Sequence, residues 1–451
     1  MRLITGDECG ILKECIPELS RGKGKTAEAG KRVEVTKDKG VMRVNTSDDV
    51  NRKRGIVGLA WIDRTKDTSF ACLRIDGSVT SWERCADGER GHGAYRRLES
   101  VDNVFDDDLV ASDVMKRPVS LDSFVQEEAT FLCVCSANGK AVILDSADLS
   151  VVKRFTTFEE SESNPAKYPM VTTTAIDHST LRLAVGGRDR ETTFFDLNTG
   201  KQLWKAKNMP PDPQTLLQPL VWPTCILFMK SSEHDRCDVM VVGTAHRQLR
   251  VYDISQDSKQ RRPISVTPNG LLEHRVMSLC QLDYHRVVAG DSAGYIHTID
   301  LRKLGKDPKE SKKAVSEGRY VGPSGSIRKL VRHEDSAKLV AVGLDRMLHV
   351  YNTVDRKEVC CMYLKQRQNC VLLGEQEAWE LDEDGNVVDS DIDQDDVVND
   401  YVASDEEGGF SDEDSDDSVS TNRVESEDEE PSVDGSEPSD DDMSPRKKQK
   451  Q

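Results

Sequence analysis

Few residues in this chain have the types and spacing that chemistry needs. Gly24-Lys25-Thr26 matches the end of a phosphate-binding loop, in which backbone N–H groups cradle phosphate and the lysine neutralises it. That loop also needs a glycine five positions before Gly24 and a buried strand leading in. Position 19 is Leu19, and Glu18-Leu19-Ser20-Arg21 is no buried strand. Gly91-His92-Gly93 likewise lacks the strand-to-helix setting of a dinucleotide site. Neither G-x-S-x-G nor H-E-x-x-H occurs, and the twelve cysteines include no C-x-x-C pair. Cys72, Cys133, Cys135, Cys280, Cys360 and Cys361 sit in apolar runs and read as reduced core thiols. His178, His246, His274, His285, His297, His333 and His349 fall within or beside strand patterns and read as turn or core residues. No catalytic residue, metal centre or cofactor site is nominated. The expectation is a protein that binds rather than one that catalyses.

Charge is the stronger signal. The formal net charge is -19, but residues 375–443 hold 30 Asp and Glu against Arg423 alone. With the four cations near the C-terminus set aside, residues 1–374 carry a net charge of +6. Within them, the segment 21–54 has eleven Lys and Arg against five Asp and Glu. It reads either as a mobile basic loop touching RNA phosphates or an acidic partner, or as an ordinary solvated insertion. It lacks interleaved aromatics, so base stacking is not its expected mode.

A repeating element must position these charges. V-G-G-R-D-R-E-T-T-F-F-D at 185–196 recurs as V-G-T-A-H-R-Q-L-R-V-Y-D at 242–253, A-G-D-S-A-G-Y-I-H-T-I-D at 289–300 and V-G-L-D-R-M-L-H-V-Y-N at 342–352. Weaker copies at 134–145, at 72–83 and at the N-terminus bring the number to seven. Each copy is a strand, a tight polar turn and an alternating strand, which is a hairpin signal. Before each of six copies stands an apolar strand: 56–62, 121–125, 171–176, 225–229, 276–282 and 327–331. A fourth strand often follows, as at 202–204 and 359–363. Four strands recurring every 50 to 60 residues predict an all-β, seven-bladed propeller of degenerate WD type. The Trp-Asp slot holds Phe195-Asp196, Tyr252-Asp253, Ile299-Asp300, Tyr351-Asn352 and Trp82-Glu83: a bulky filler, then a short acceptor for the turn.

The first copy begins at its second strand, and Asn369–Leu373 remains over after the seventh. That segment is expected to supply the missing inner strand and close the ring, so that no sheet edge stays open. The predicted domains are a propeller over 1–374 and a disordered acidic tail over 375–451, too polar to offset its chain entropy. Ser404, Ser411, Ser415, Ser426 and Ser439 precede acidic residues and suit an acid-directed kinase. Arg446, Lys447, Lys448 and Lys450 read as a nuclear-import signal. The N-terminus has no apolar stretch of signal-peptide length, and no run of about 18 apolar residues occurs, so a soluble protein of nucleus or cytosol without a membrane partner is expected.

In four-stranded blades, the second-to-third turns and the blade-to-blade loops emerge at one end. That face should gather the 21–54 loop with Arg188, Arg190, Lys205, Lys207, Arg247, Arg261, Arg262 and Arg346 as a partner- or RNA-binding surface.

The wording of the repeats is specific. A-K-N at 206–208, P-L-V-W at 219–222, H-R-Q-L-R-V-Y-D at 246–253, Q-R-R-P at 260–263, G-Y-I-H-T-I-D-L-R at 294–302, G-L-D-R-M-L-H-V-Y at 343–351 and Y-L-K-Q-R-Q-N-C-V-L-L at 363–373 together resemble the WD-repeat ribosome-biogenesis factors called Nop-seven-associated proteins. The resemblance is sharp over 181–374 and looser over 1–180. It implies a non-enzymatic scaffold of the nucleus and nucleolus, carried as a monomer within precursors of the large ribosomal subunit beside other assembly factors. It further implies a role in pre-rRNA processing, release by an AAA-type ATPase, and links to pre-rRNA and the RNA-exosome helicase. The segment 21–54 and the acidic tail depart from the pattern. A WD substrate-receptor or chromatin-associated adaptor is the alternative, since such proteins use the same disc to hold peptides.

Overall fold

The computed structural model describes residues 1–374 apart from 18–39, 46–49, 64–66, 86–93, 106–113, 159–169, 212–214, 232–236, 256–258, 307, 309–314 and 334–335. Seven antiparallel sheets of four strands make up the described body. Six are read straight off the chain, with inner strands Ile56–Trp61, Pro118–Gln126, Met170–Asp177, Pro223–Met229, Val276–Gln281 and Ile327–His333. These begin blades two to seven. Blade one combines both ends of the described chain: Gln368–Gly374 is its inner strand, beside Arg2–Asp7, Leu12–Cys15 and Val41–Arg43.

The closing strand pairs antiparallel with Arg2–Asp7, with Leu3 opposite Leu373 and Thr5 opposite Val371. Around the ring each inner strand touches the next, and Gln368–Gly374 touches both Ile56–Trp61 and Ile327–His333. Polar contacts fasten the seam. The Trp61 indole donates to the Leu373 carbonyl at 2.9 Å, Asn369 Nδ2 to the Ile56 carbonyl at 2.9 Å, and Lys13 Nζ to the Leu364 carbonyl at 2.6 Å. The inferred inner-strand closure is therefore the observed one.

The sequence forms these sheets because each blade is covered on both faces. K-L-V-A-V-G at 338–343 is an almost unbroken apolar run, buried from Leu339 to Gly343, as a strand packed on both sides must be. The apolar clusters lie between neighbouring blades: Val288 and Ile296 of blade six pack with Leu339, Ala341 and Tyr351 of blade seven. The glycines of the repeat allow that packing. A Cβ on Gly290 would lie 2.8 Å from Ile327 Cγ2 at the start of the next blade. The acceptors of the Trp-Asp slot also work as expected. Asp196 accepts from the Asn198 N–H at 2.9 Å, Asp253 from Ser255 at 3.0 Å and Asn352 from Val354 at 2.8 Å, each closing the turn to the fourth strand.

Two expectations need correction. The segment 21–54 is not one loop: Val41–Arg43 is the outer strand of blade one, paired with Leu12–Cys15, and Arg52–Arg54 is a 3-10 turn capped by Asn51. Arg261 and Arg262 lie neither in a second-to-third turn nor in a blade-to-blade loop. They sit in the connection between the third and fourth strands of blade five, because that fourth strand is only Ser265–Val266.

Candidate interaction face

In each sheet the inner strand's first residue, the second-to-third turn and the end of the fourth strand share one end of the blade, since all four strands alternate in direction. A backbone hydrogen bond repeats there. The N–H of the residue after the second strand donates to the carbonyl just before the inner strand: Glu8 to Arg367, Ile75 to Gly55, Ala137 to Arg117, Ala245 to Trp222, Ser292 to Arg275 and Leu344 to Ser326, at 2.9–3.1 Å. Six blades thus hold one pre-strand residue beside the turn, and three of these residues are arginines and one is a tryptophan.

At the closure seam this end opens into a cavity of about 630 Å³, lined by Arg52, Arg346, Lys365 and Arg367 with Glu8 as the acidic member. Arg367 Nη1 lies 3.6 Å from Glu8 Oε2, and both side chains remain partly open to solvent. Nearby Arg328 has its pKa lowered by burial and then by the charge of Arg367, with Glu8 opposing. Four cations around one carboxylate make an anion-attracting pocket.

A second basic cluster surrounds Trp222. The guanidinium of Arg275 lies 4.4 Å from the ring centroid and that of Arg188 5.2 Å. Burial and then the charges of Arg250, Arg275 and Arg247 lower the pKa of His246 here, with Asp189 opposing. Next along, Tyr295 stacks on His274 at 5.7 Å with an interplanar angle of 6°, and Arg319 lies 5.7 Å from the Tyr295 ring. The loop leading to Trp222 leaves Leu216, Leu217 and Leu220 exposed by 78%, 70% and 65%. Cations, stacked rings and bare leucines on one face suit binding to a large, negatively charged partner.

The predicted basic residues divide. Arg247 and Arg346 occupy equivalent turn positions in left-handed backbone (φ 63° and 66°), with exposed side chains. Arg188 ends a second strand and projects over Trp222, with Asp189 at 3.8 Å. Lys205 ends the fourth strand of blade four, and Lys207 follows it. Although Arg261 belongs to a different kind of connection, its carbonyl accepts from the Lys207 N–H at 2.9 Å, so the two segments meet. Arg190 is no free surface cation. Its guanidinium stacks over Phe158 at 4.0 Å and donates to the Thr157 carbonyl, and burial lowers its pKa to about 10. The glycine motifs at 24–26 and 91–93, the five serines and the C-terminal basic cluster lie outside the described residues. Sequence reasoning passed over Lys365, Arg367, Trp222 and Arg275, whereas Arg52 belongs to the segment 21–54 expected at this face. The usable signal was position: the residue just before each inner strand is held at this face.

No family model matches the chain. The human WD repeat-containing protein 74 is 30% identical over 204 residues, covering 44% of this chain and 47% of that protein. The mouse protein of the same name is 28% identical over 204 residues. A WD repeat-containing protein of Dictyostelium discoideum is 27% identical over 205 residues, 45% of this chain and 36% of that protein. The chain spans about half the length of the first two relatives or less. Relatives of that name stand for the Nop-seven-associated family, in accord with the resemblance carried by the repeats. Propeller and relatives together support a WD-repeat scaffold.

Proposed function

We propose that this chain is a scaffold in nucleolar assembly of the large ribosomal subunit, acting through binding and timed release during pre-rRNA processing. The observation that carries the reading is the seam cavity, where Arg52, Arg346, Lys365 and Arg367 face Glu8. The Trp222 cluster on the same type of turn extends the cationic surface. Phosphate-rich RNA and acidic assembly factors have the complementary charge. The WD-repeat relatives support the reading, and the resemblance to Nop-seven-associated proteins gives it its place. Under it, the partners are assembly factors of the precursor particle, an AAA-type ATPase that releases the scaffold, and pre-rRNA and the exosome helicase as neighbours.

The test is affinity purification of the full chain from nuclear extract, with identification of bound RNA and protein. Recovery of large-subunit precursor RNA with assembly factors is expected. Charge reversal of Arg52, Arg346, Lys365 and Arg367 together should reduce that recovery at least tenfold. Ubiquitin-ligase subunits or histones in place of precursor particles would overturn the reading in favour of an adaptor.

A further inference from the structure

We propose that blade seven carries a site for a zinc-type divalent metal ion, built by His349, Glu358 and Cys361 near the outer edge of the disc. His349 stands on the third strand, and Cys361, its direct cross-strand partner, on the fourth. One ligand atom from each of the three residues lies within 4.8 Å of the others. His349 Nδ1 is 3.6 Å from Cys361 Sγ and 2.5 Å from Glu358 Oε1. Metal bonds of about 2.0–2.3 Å put tetrahedral ligand atoms roughly 3.2–3.8 Å apart. The nitrogen–sulfur distance already fits. Glu358, the most exposed of the three side chains at 17%, has only to swing out by about 0.8 Å to meet the same geometry.

Two further observations point to an ion. On the far side of the imidazole, Nε2 lies 2.9 Å from Asp345 Oδ2. That is the carboxylate–histidine arrangement which fixes the tautomer and turns the Nδ1 lone pair toward a metal. The Tyr351 hydroxyl is fully buried and has no hydrogen-bond partner. The backbone also approaches these donors closely at Gly322. A Cβ placed there would lie 2.8 Å from the Tyr351 oxygen, 3.3 Å from Glu358 Oε1 and 3.4 Å from His349 Nδ1. Glycine is therefore what lets the backbone pack this close to the three donors. A water in the fourth coordination position would satisfy the Tyr351 hydroxyl. Gly322 and its neighbour Val321 are exposed, which gives an ion its way in.

The donor set selects the metal. One imidazole, one thiolate and one carboxylate suit Zn²⁺ rather than Mg²⁺ or Ca²⁺, which take oxygen ligands. Without metal, the short contact from His349 Nδ1 to Glu358 needs a proton between them. Binding replaces that proton and the thiol proton of Cys361 with the ion, so two protons leave as it enters. Sequence gave no hint, because the spacing from 349 to 358 to 361 matches no finger pattern; the strand pairing brings the residues together.

The test uses the full chain, purified reduced and stripped with a chelator, then titrated with Co²⁺ and with Zn²⁺. One Co²⁺ per chain is expected, with a near-ultraviolet thiolate-to-cobalt band that Zn²⁺ abolishes. Cys361→Ser should remove the band, and Cys280→Ser should keep it. Asp345→Asn should weaken binding about 10–100-fold, the effect of losing an outer carboxylate. Should Cys361→Ser fail to fold, Glu358→Gln serves in its place, with the affinity for Co²⁺ lowered. The proposal is overturned if the folded, stripped wild type shows no thiolate-to-cobalt band, or if the band survives in folded Cys361→Ser.

Discussion

Deleting residues 369–374 should destabilise the whole disc. The deleted strand buries Cys370 and Val371 and half-buries Leu372 and Leu373. Full burial of an aliphatic side chain is worth about 1.5–3 kcal/mol, so these four side chains together contribute about 5 kcal/mol. The lost ladder bonds, about 0.5–1.5 kcal/mol each net, are largely offset by regained chain entropy of about 1–2 kcal/mol per residue. Deletion also wets Leu3, Ile4 and Ile56, all fully buried beside the closing strand. A loss of several kcal/mol is a large share of the roughly 5–15 kcal/mol that holds a domain together. It should lower the unfolding midpoint by roughly 10 °C. Circular dichroism follows the whole sheet, and tryptophan fluorescence reports the seam through Trp61, which donates to Leu373. Val371→Ala gives a graded version costing about 1–2 kcal/mol. An unchanged midpoint in the deletion would refute the reasoning. So would hydrogen exchange that rises in blade one alone while blades four to six keep their protection, because closure is argued to couple the ring.

The other predictions concern single side chains. Arg190→Ala should cost about 1–2 kcal/mol in stability through its lost ring and carbonyl contacts, whereas Arg247→Ala should stay within about 0.5 kcal/mol; chemical denaturation of both separates a pin from a free surface charge. Gly290→Ala should destabilise by about 1–3 kcal/mol, because its methyl would press on Ile327 at the next blade, and a midpoint equal to wild type would show that the blades yield there. For metal-stripped protein, burial works against charging His349, but hydrogen bonds with Asp345, Cys361 and Glu358 prevail and raise its pKa to about 11. The stability it contributes is complete below the unfolded pKa of about 6.5 and fades as pH climbs toward 11, so His349→Gln should cost more at pH 6 than at pH 10.

The propeller was legible because every repeat obeys the same local rules: an apolar run, a small residue, a turn, and a bulky residue with a short acceptor. Asp196, Asp253 and Asn352 close the turns their positions announced. Departures arose where charge hides structure. Val41–Arg43 is an outer strand of three residues, none of them buried, so no apolar pattern marks it inside a lysine-rich segment. Arg190 looks like its surface neighbours in sequence, and only packing shows Phe158 beneath it. The seam cavity itself was not legible, although Arg346 and the segment holding Arg52 were expected at its face. Its lining comes from residues 8–75 and 346–369, which no local pattern links.

That origin couples binding to folding. Glu8, Cys9, Arg52 and Gly55 reach the cavity from one end of the body, and Arg346, Lys365, Arg367 and Asn369 from the other. The cavity takes shape as Gln368–Gly374 pairs with Arg2–Asp7, for the Glu8 N–H then meets the Arg367 carbonyl at 3.1 Å. An anionic partner seated across the seam, as proposed, would bind the closed ring and not the open one. At a free concentration of 100 times its dissociation constant, such a partner stabilises the closed state by about 2.7 kcal/mol. The same linkage runs in reverse: any process that pulls the closing strand out dismantles the binding site in the same step. Under the proposed function, ring closure and retention of the partner are one equilibrium read from two sides.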